Sequence, residues 1–392
     1  MITRSTAAVL IIALSACSGG DPADVPSVAT TDVDGVIHVR VESLAPADVR
    51  QWNVHEVFTT SAPETRVELY QVSAARFLPD DALAVANSGT GEIITLDSLG
   101  REITRRGGKG EGPGEFTWIS HLDVDSAGTL TAYDPRQGRL TRVPADSGAA
   151  TTRPFAPPDF IVDLQPLAVL DDNRVAAVYG EMRVFARSGE RRDTTPLMMF
   201  DADGARADTI AMWPATEWAF MSSGDGAMRS PVGFGRSASY AGRNGRFAVG
   251  ANDSIDVVVY DASTEPAMRI SGPPGTAVDP AAVELWRSEV ESRWSDMPEE
   301  MRRGLADLPH RPTYPGFETL VVDDDGSIWI GSYARPGQVA RDWLVIGRDG
   351  HAQARVTLPS DAKVLDIAGG RIALVMRDDL GEEHISVFRI VR

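Results

Sequence analysis

One pattern constrains this chain more than any other. A short apolar strand, a turn carrying Gly or Asp, an alternating strand, a loop, a third strand, a second polar turn and a fourth strand recur along almost its whole length. The pattern is clearest in ARFLPDDALAVANSGTGEIITLDSLGREI (residues 75–103) and HLDVDSAGTLTAYDPRQGRLTRVPADSGAA (121–150). It returns in YAGRNGRFAVGANDSIDVVVYDASTEPAMRI (240–270) and LVVDDDGSIWIGSYARPGQVARDWLVIGRDGHAQARV (320–356). Weaker copies occupy 164–212 and 363–391. A unit of this size cannot bury its own apolar faces, so neighbouring copies must stack.

Radial stacking of four-stranded antiparallel units is the arrangement that suits this spacing. The expected fold is therefore an all-β, six-bladed β-propeller over 35–392, with strands A to D running outward in each blade. The last copy supplies only three strands, and an open sheet edge invites aggregation. Val36–Val41 (VIHVRV) is expected to complete the final blade as strand D, closing the ring with an N-terminal strand.

The glycine-rich stretch GGKGEGPGEF (107–116) falls between the first two copies. It is not a phosphate-binding loop, because Lys109 is followed by Gly110 rather than Ser or Thr and no helical pattern follows. Gly112, Pro113, Gly114 and Phe116 form a turn leading into the next blade, with Phe116 placed to plug the gap between blades. Val124-Asp125, Gly128, Asp134 and Arg139-Leu140 then follow in a fixed rhythm. In these residues the chain resembles the NHL-type six-bladed propellers. The resemblance supports the fold over about 350 residues and implies no particular activity.

The net charge of -18 disfavours nucleic acid and anionic lipid as partners. Cys17 is the single cysteine, so neither an intrachain disulfide nor a cysteine zinc site can form. Arg4 precedes an apolar run, AAVLIIAL, that is too short to span a bilayer. Leu14-Ser15-Ala16-Cys17 then resembles the lipobox of bacterial lipoproteins. The resemblance implies that 1–16 is a signal peptide, that cleavage occurs before Cys17, and that acyl chains on Cys17 anchor the protein to a bilayer. Ser18 favours the periplasmic side of the outer membrane. Residues 17–34, rich in Ser, Gly, Asp, Pro and Ala, read as a flexible tether.

In a propeller the D-to-A links and the B–C loops share one face. The long connections here are of those two kinds: 105–116, 213–232 and 271–317 among the links, 180–194 and 332–341 among the loops. Long loops on a rigid scaffold carry binding. The longest link holds a helical signal and a small helical insertion, about 278–310, between blades 4 and 5. Asp279 is a candidate cap and Pro280 the first helical residue, with Val283, Trp286, Val290 and Trp294 on one stripe. Met301, Leu305 and Leu308 form a second. Trp286 and Trp294 read either as a lid over the channel or as rim packing.

The same face is relatively rich in arginine. Arg183, Arg187, Arg191 and Arg192 share one loop, and Arg335, Arg341 and Arg377 follow in later blades. A guanidinium fork suits carboxylate or phosphate. The expectation is a binding or interaction module with one loop-rich face for a small anionic ligand or an envelope protein, without cofactor. The alternative is a metal-dependent, lactonase-like hydrolase or lyase, with calcium held in the channel by residues such as Asn87, Asp134 and Asn252. The zinc-protease and serine-hydrolase motifs are absent, and the six histidines are dispersed. VDDDGS (322–327) has Val321 and Ser332 where a calcium loop needs an oxygen ligand and a Glu, and reads as an A–B turn.

Overall fold

The computed structural model describes residues 26–146, 148–155, 164–179, 189–204, 207–223, 226–297 and 308–392. Three strands open the described chain: β1 (Val28–Val33), β2 (Val36–Val41) and β3 (Gln51–Thr59). Six antiparallel units follow. The first contains β4 (Val72–Phe77), β5 (Leu83–Asn87), β6 (Glu92–Leu96) and β7 (Glu102–Gly107). The second contains β8 (His121–Val124), β9 (Leu130–Asp134), β10 (Arg139–Val143) and β11 (Thr151–Pro154). The third contains β12 (Leu164–Val169), β13 (Val175–Tyr179), β14 (Gly189–Phe200) and β15 (Ala207–Ser223), with β16 (Gly226–Pro231) added beyond them. The fourth contains β17 (Ala238–Arg243), β18 (Arg246–Ala251), β19 (Ile255–Asp261) and β20 (Pro266–Gly272). The fifth contains β21 (Thr319–Val322), β22 (Ile328–Gly331), β23 (Ala340–Ile346) and β24 (Ala352–Pro359). The sixth contains β25 (Lys363–Ala368), β26 (Arg371–Arg377) and β27 (Glu383–Val391), and borrows β3 as its fourth strand.

The innermost strands touch in a closed cycle, β4 to β8 to β12 to β17 to β21 to β25 and back to β4. That cycle makes the chain a β-propeller. An N-terminal strand closes it, but not the one expected. Gln51–Thr59 lies antiparallel to β27, with Val54 opposite Ile390 and Thr59 opposite Ser386. Val36–Val41 instead runs parallel to β20 on the outer edge of the fourth unit, Ile37 opposite Met268 and Val39 opposite Ile270. Asp34 and Gly35 both have positive φ (55° and 82°), the backbone of a two-residue hairpin turn. Residues 28–33, assigned by composition to the tether, therefore fold back as β1 against β2. Both candidate strands alternate apolar and polar residues. Trp52 of β3 fits beside Trp329 and Val356 at the seam of the fifth and sixth units, whereas Val39 and Val41 fit beside Val257, Met268 and Ile270.

Local chemistry explains the turns. Asp125 Oδ1 accepts from Ala127 N and Thr129 N, at 3.0 and 2.9 Å, while Gly128 takes φ of 81°. Asp97 and Asp378 repeat the same two bonds, and Gly100 and Gly381 fall three residues after them with positive φ. Asp323 accepts from Ser327 N at 2.7 Å, so VDDDGS is such a turn.

Two of the long connections also prove more regular than expected. β14 and β15 pair from Phe200 opposite Ala207 to Gly189 opposite Phe220, and β16 pairs with the end of β15. Much of 189–194 and 213–232 is thus ribbon rather than loop. The helix forms as the stripe predicts: α1 spans Pro280–Arg293, and Asp279 Oδ1 accepts from Ala282 N at 2.8 Å.

Candidate functional site

The two faces of the ring are distinguished by their hydrogen bonds. Asn87, at the end of β5, accepts from Tyr70 N at 2.7 Å; Asp134, at the end of β9, from Thr117 N at 2.7 Å; Asn252, after β18, from Ser237 N at 2.6 Å. Each clasps the end of a second strand to the link entering its own unit, so links and B–C loops share a face. These three residues were the candidate channel metal ligands. They lie in three separate units, and their carbonyl or carboxylate oxygens are spent on backbone N–H groups. Among the described residues no group of three or more His, Cys, Asp or Glu stands close enough to hold a metal ion.

The axis itself is plugged by charge. Arg243 and Asp366, both buried, form an ion pair, and Asp366 Oδ2 also accepts from Phe77 N at 2.8 Å. Arg76 Nη1 lies 3.7 Å from the same carboxylate and donates to Leu365 O at 3.1 Å. Asp123 accepts from Val169 N at 2.9 Å across the neighbouring seam. Burial raises the Asp123 carboxyl pKa, opposed by Arg76 and the Val169 N–H. Five of the six units thereby contribute to one network across the axis. Gly242, in the wall, permits it: a Cβ there would stand 2.2 Å from Leu167 O.

On the loop-rich side of this plug lies an axial chamber of about 330 Å³ lined by residues of all six innermost strands. Ser120, His121, Gln165, Lys363 and Arg76 are in its wall. Lys363 Nζ donates to Ser73 O at 3.1 Å, and crowding by the surrounding strands lowers its pKa, with Glu383 opposing. His121 has its Nε2 sealed from solvent and without a protein partner among the described residues. Burial, and secondarily the Arg76 cation, push its pKa down to about 3, so the ring is neutral. On the far side the A–B turns surround a basin of about 670 Å³. There Arg371 is clasped by Asp81 and Arg142 by Asp125.

A third concavity, about 610 Å³, lies on the loop-rich face between the fourth and fifth units. Arg335 stands over the Tyr314 ring at 4.8 Å and donates to Thr276 Oγ1 at 3.1 Å. Tyr333 packs beside Tyr314, ring centroids 5.7 Å apart. Burial, with the Glu318 and Tyr314 charges, pushes the Tyr333 phenol up to about 12, so it stays a hydrogen-bond donor at neutral pH. Among the described residues Arg335 has no carboxylate partner.

The other candidates fall elsewhere. Arg341 is 5% exposed, paired with Glu318 and stacked over Trp343 at 5.0 Å, so it braces the fifth unit. Arg377 is exposed but paired with Glu383 at 2.8 Å. Arg191 pairs with Asp193, and Arg192 binds Asp253 through both terminal nitrogens at 2.7 Å. Arg183, Arg187 and Cys17 lie outside the described residues. Trp286 packs on Phe234 at 5.7 Å, and Trp294 packs with Val290, Val232 and Leu308, which places both tryptophans at the rim, away from the chamber wall. Gly112, Pro113 and Gly114 lead into Phe116, which is 1% exposed among Ala84 and Ile93 of the first unit and Leu122 and Leu130 of the second. Lys109 Nζ donates to Ser88 O and Thr117 O, both at 2.9 Å, stapling the same seam.

The sequence reading overlooked Arg76, His121, Arg243, Lys363 and Asp366, which lie in unremarkable strands and meet only at the axis. One signal was available for Lys363. Of 38 basic residues only Lys109 and Lys363 are lysines.

The fold and these sites define a β-propeller with a charge-plugged axis. No family model and no curated protein sequence matches the chain. Solved structures do match. A member of the DUF4221 family from Bacteroides vulgatus, 9% identical, aligns over 88% of this chain and 98% of its own, with a TM-score of 0.48. A gluconolactonase from Xanthomonas campestris, 12% identical, aligns over 96% and 99%, with a TM-score of 0.42. A streptogramin B lyase, 11% identical, aligns over 87% and 98%, with a TM-score of 0.41. Likeness at this level carries no argument about activity.

Proposed function

We propose that this propeller is an exported binding module, anchored by an acylated Cys17 on the periplasmic side of the outer membrane. Its loop-rich face takes an anionic group, carried by a small ligand or an envelope partner, in the cleft around Arg335. The NHL-like turn at Gly112–Phe116 is read as part of the scaffold. The observation that carries the binding role is the state of Arg335: an exposed guanidinium oriented by Tyr314 and Thr276, at the mouth of a cleft, without a carboxylate partner among the described residues. Arg341 and Arg377, its former companions, are already neutralised.

Two experiments test this reading. Labelled palmitate enters the wild type and not Cys17→Ser; equal incorporation removes the anchor. Titration calorimetry against sugar acids and short acidic peptides detects a ligand, and Arg335→Ala weakens it about tenfold or more, the value of one charge-assisted hydrogen bond. Undiminished binding by Arg335→Ala with an intact melting curve removes the cleft.

A further inference from the structure

The axial chamber has properties that the rim cleft does not explain. Three buried side-chain atoms without a protein partner among the described residues gather in its wall: Ser120 Oγ, His121 Nε2 and Arg76 Nε. Buried polar atoms are nearly always satisfied, so a cluster of orphans around one cavity points to something that fills it. The hydroxyl and the guanidinium Nε–H are donors. Lys363, an exposed residue of the chamber lining, carries three ammonium protons, and among the described residues the acceptor found for it is Ser73 O. The unmet demand is therefore for acceptors.

Charge agrees with the hydrogen bonds. The chain carries -18 overall, yet the chamber and its floor hold three cations, Lys363, Arg76 and Arg243, against two carboxylates, Asp366 and Asp123. Both carboxylates are engaged, Asp366 by Arg243 and Phe77 N, Asp123 by Val124 N and Val169 N. Glu383, which faces Lys363 from the sixth unit, is shared between Arg377 and Val72 N. Among the residues that line the chamber itself, Lys363 and Arg76 stand against Asp366 alone, a surplus of one cation; Asp324 faces Arg243 from the far side. The volume, about 330 Å³, would hold on the order of ten waters at ~30 Å³ each, room for one small solute.

We propose that the axial chamber is a binding site for a small oxyanion, a carboxylate or a phosphate, held between the Lys363 ammonium and the Arg76 guanidinium. Ser120 and His121 line the side of the seat, and the Arg243–Asp366 pair forms its floor. This site is separate from the Arg335 cleft and stands or falls without it.

The scarcity of lysine supplies the test. The full chain in detergent is titrated with inorganic phosphate and, separately, with glucuronate, with glucose as the uncharged control. In parallel, formaldehyde and cyanoborohydride methylate the accessible amines, and Lys363 and Lys109 are scored by peptide mass. Each amine adds to the aldehyde carbon, loses water to form an iminium ion, and takes hydride at that carbon. The expected result is binding of one anion and not of glucose, with matching protection of Lys363 and none of Lys109. The anion that binds more tightly identifies phosphate or carboxylate as the source. Lys363→Met lowers affinity ten- to a hundredfold while keeping the wild-type melting curve, and Ser120→Ala lowers it less. In Arg335→Ala the anion protects Lys363 as it does in the wild type, whatever binding is lost at the rim cleft. If neither anion binds or protects Lys363, or if Lys363→Met binds as well as wild type, the chamber is water-filled only and the proposal is wrong.

Discussion

His121 shows how one residue links position to pH dependence. Its ring is held neutral by burial beside Arg76, with a pKa of about 3 against an ordinary 6.5. Below pH 6.5 the unfolded chain takes up a proton that the folded chain refuses. The stability associated with a neutral His121 is thus complete above pH 6.5 and is lost progressively as pH falls from 6.5 toward 3. The expected slope is at most about 1.4 kcal/mol per pH unit. Urea unfolding of wild type and His121→Asn at pH 7.5, 6.5, 5.5 and 4.5 measures it. The stability difference between the two proteins shifts in favour of the variant at the acid end, while the carboxylates common to both cancel. A constant difference would show that His121 protonates freely in the folded state. The residue's identity was plain in the sequence, but its environment was not, because Arg76 and His121 belong to different units.

At the scale of elements, the two N-terminal strands offer a direct comparison. β2 is an added edge on the fourth unit, covered in turn by β1, whereas β3 completes the sixth unit and closes the ring. Proline removes a ladder N–H in either place. Val39→Pro is expected to cost about 1–3 kcal/mol, the value of a lost bond and an orphaned acceptor, and to leave a closed ring. Val54→Pro costs more, because the sixth unit loses its fourth strand and its seam with the fifth. Scattering should show a larger radius for Val54→Pro and an unchanged one for Val39→Pro. If Val39→Pro proved the more disruptive, the strand assignment would be reversed. Both strands were legible as strands from period-two alternation. Their partners were not, since a strand pattern states which face is apolar and not which edge it will join. The Asp34-Gly35 hairpin signal was in plain view, and giving it weight over composition would have placed β1 correctly.

For the whole molecule, the charge plug is the feature that ties distant parts together. Asp366 answers both Arg243 and Arg76, at separations of 123 and 290 residues for Arg243 and Arg76 respectively. Asp366→Asn leaves two guanidinium groups without their shared anion, and breaking a buried pair from one side costs roughly 3–5 kcal/mol. Denaturant melts of this variant are expected to show that loss, and Asp366→Asn with Arg243→Met together to recover part of it. No recovery would mean the pair is not coupled. What the amino-acid sequence determined by itself was everything carried by near neighbours: the strand period, the Asp-x-x-Gly turns, the capped helix and the repeat that demands a ring. These depend on backbone preferences and hydrogen bonds spanning a few residues. Tertiary structure alone decided which strand seals the ring, which arginines are neutralised and which five side chains meet at the axis. Those contacts exist only after six separate units converge on one line, and no local pattern encodes where such a line will pass.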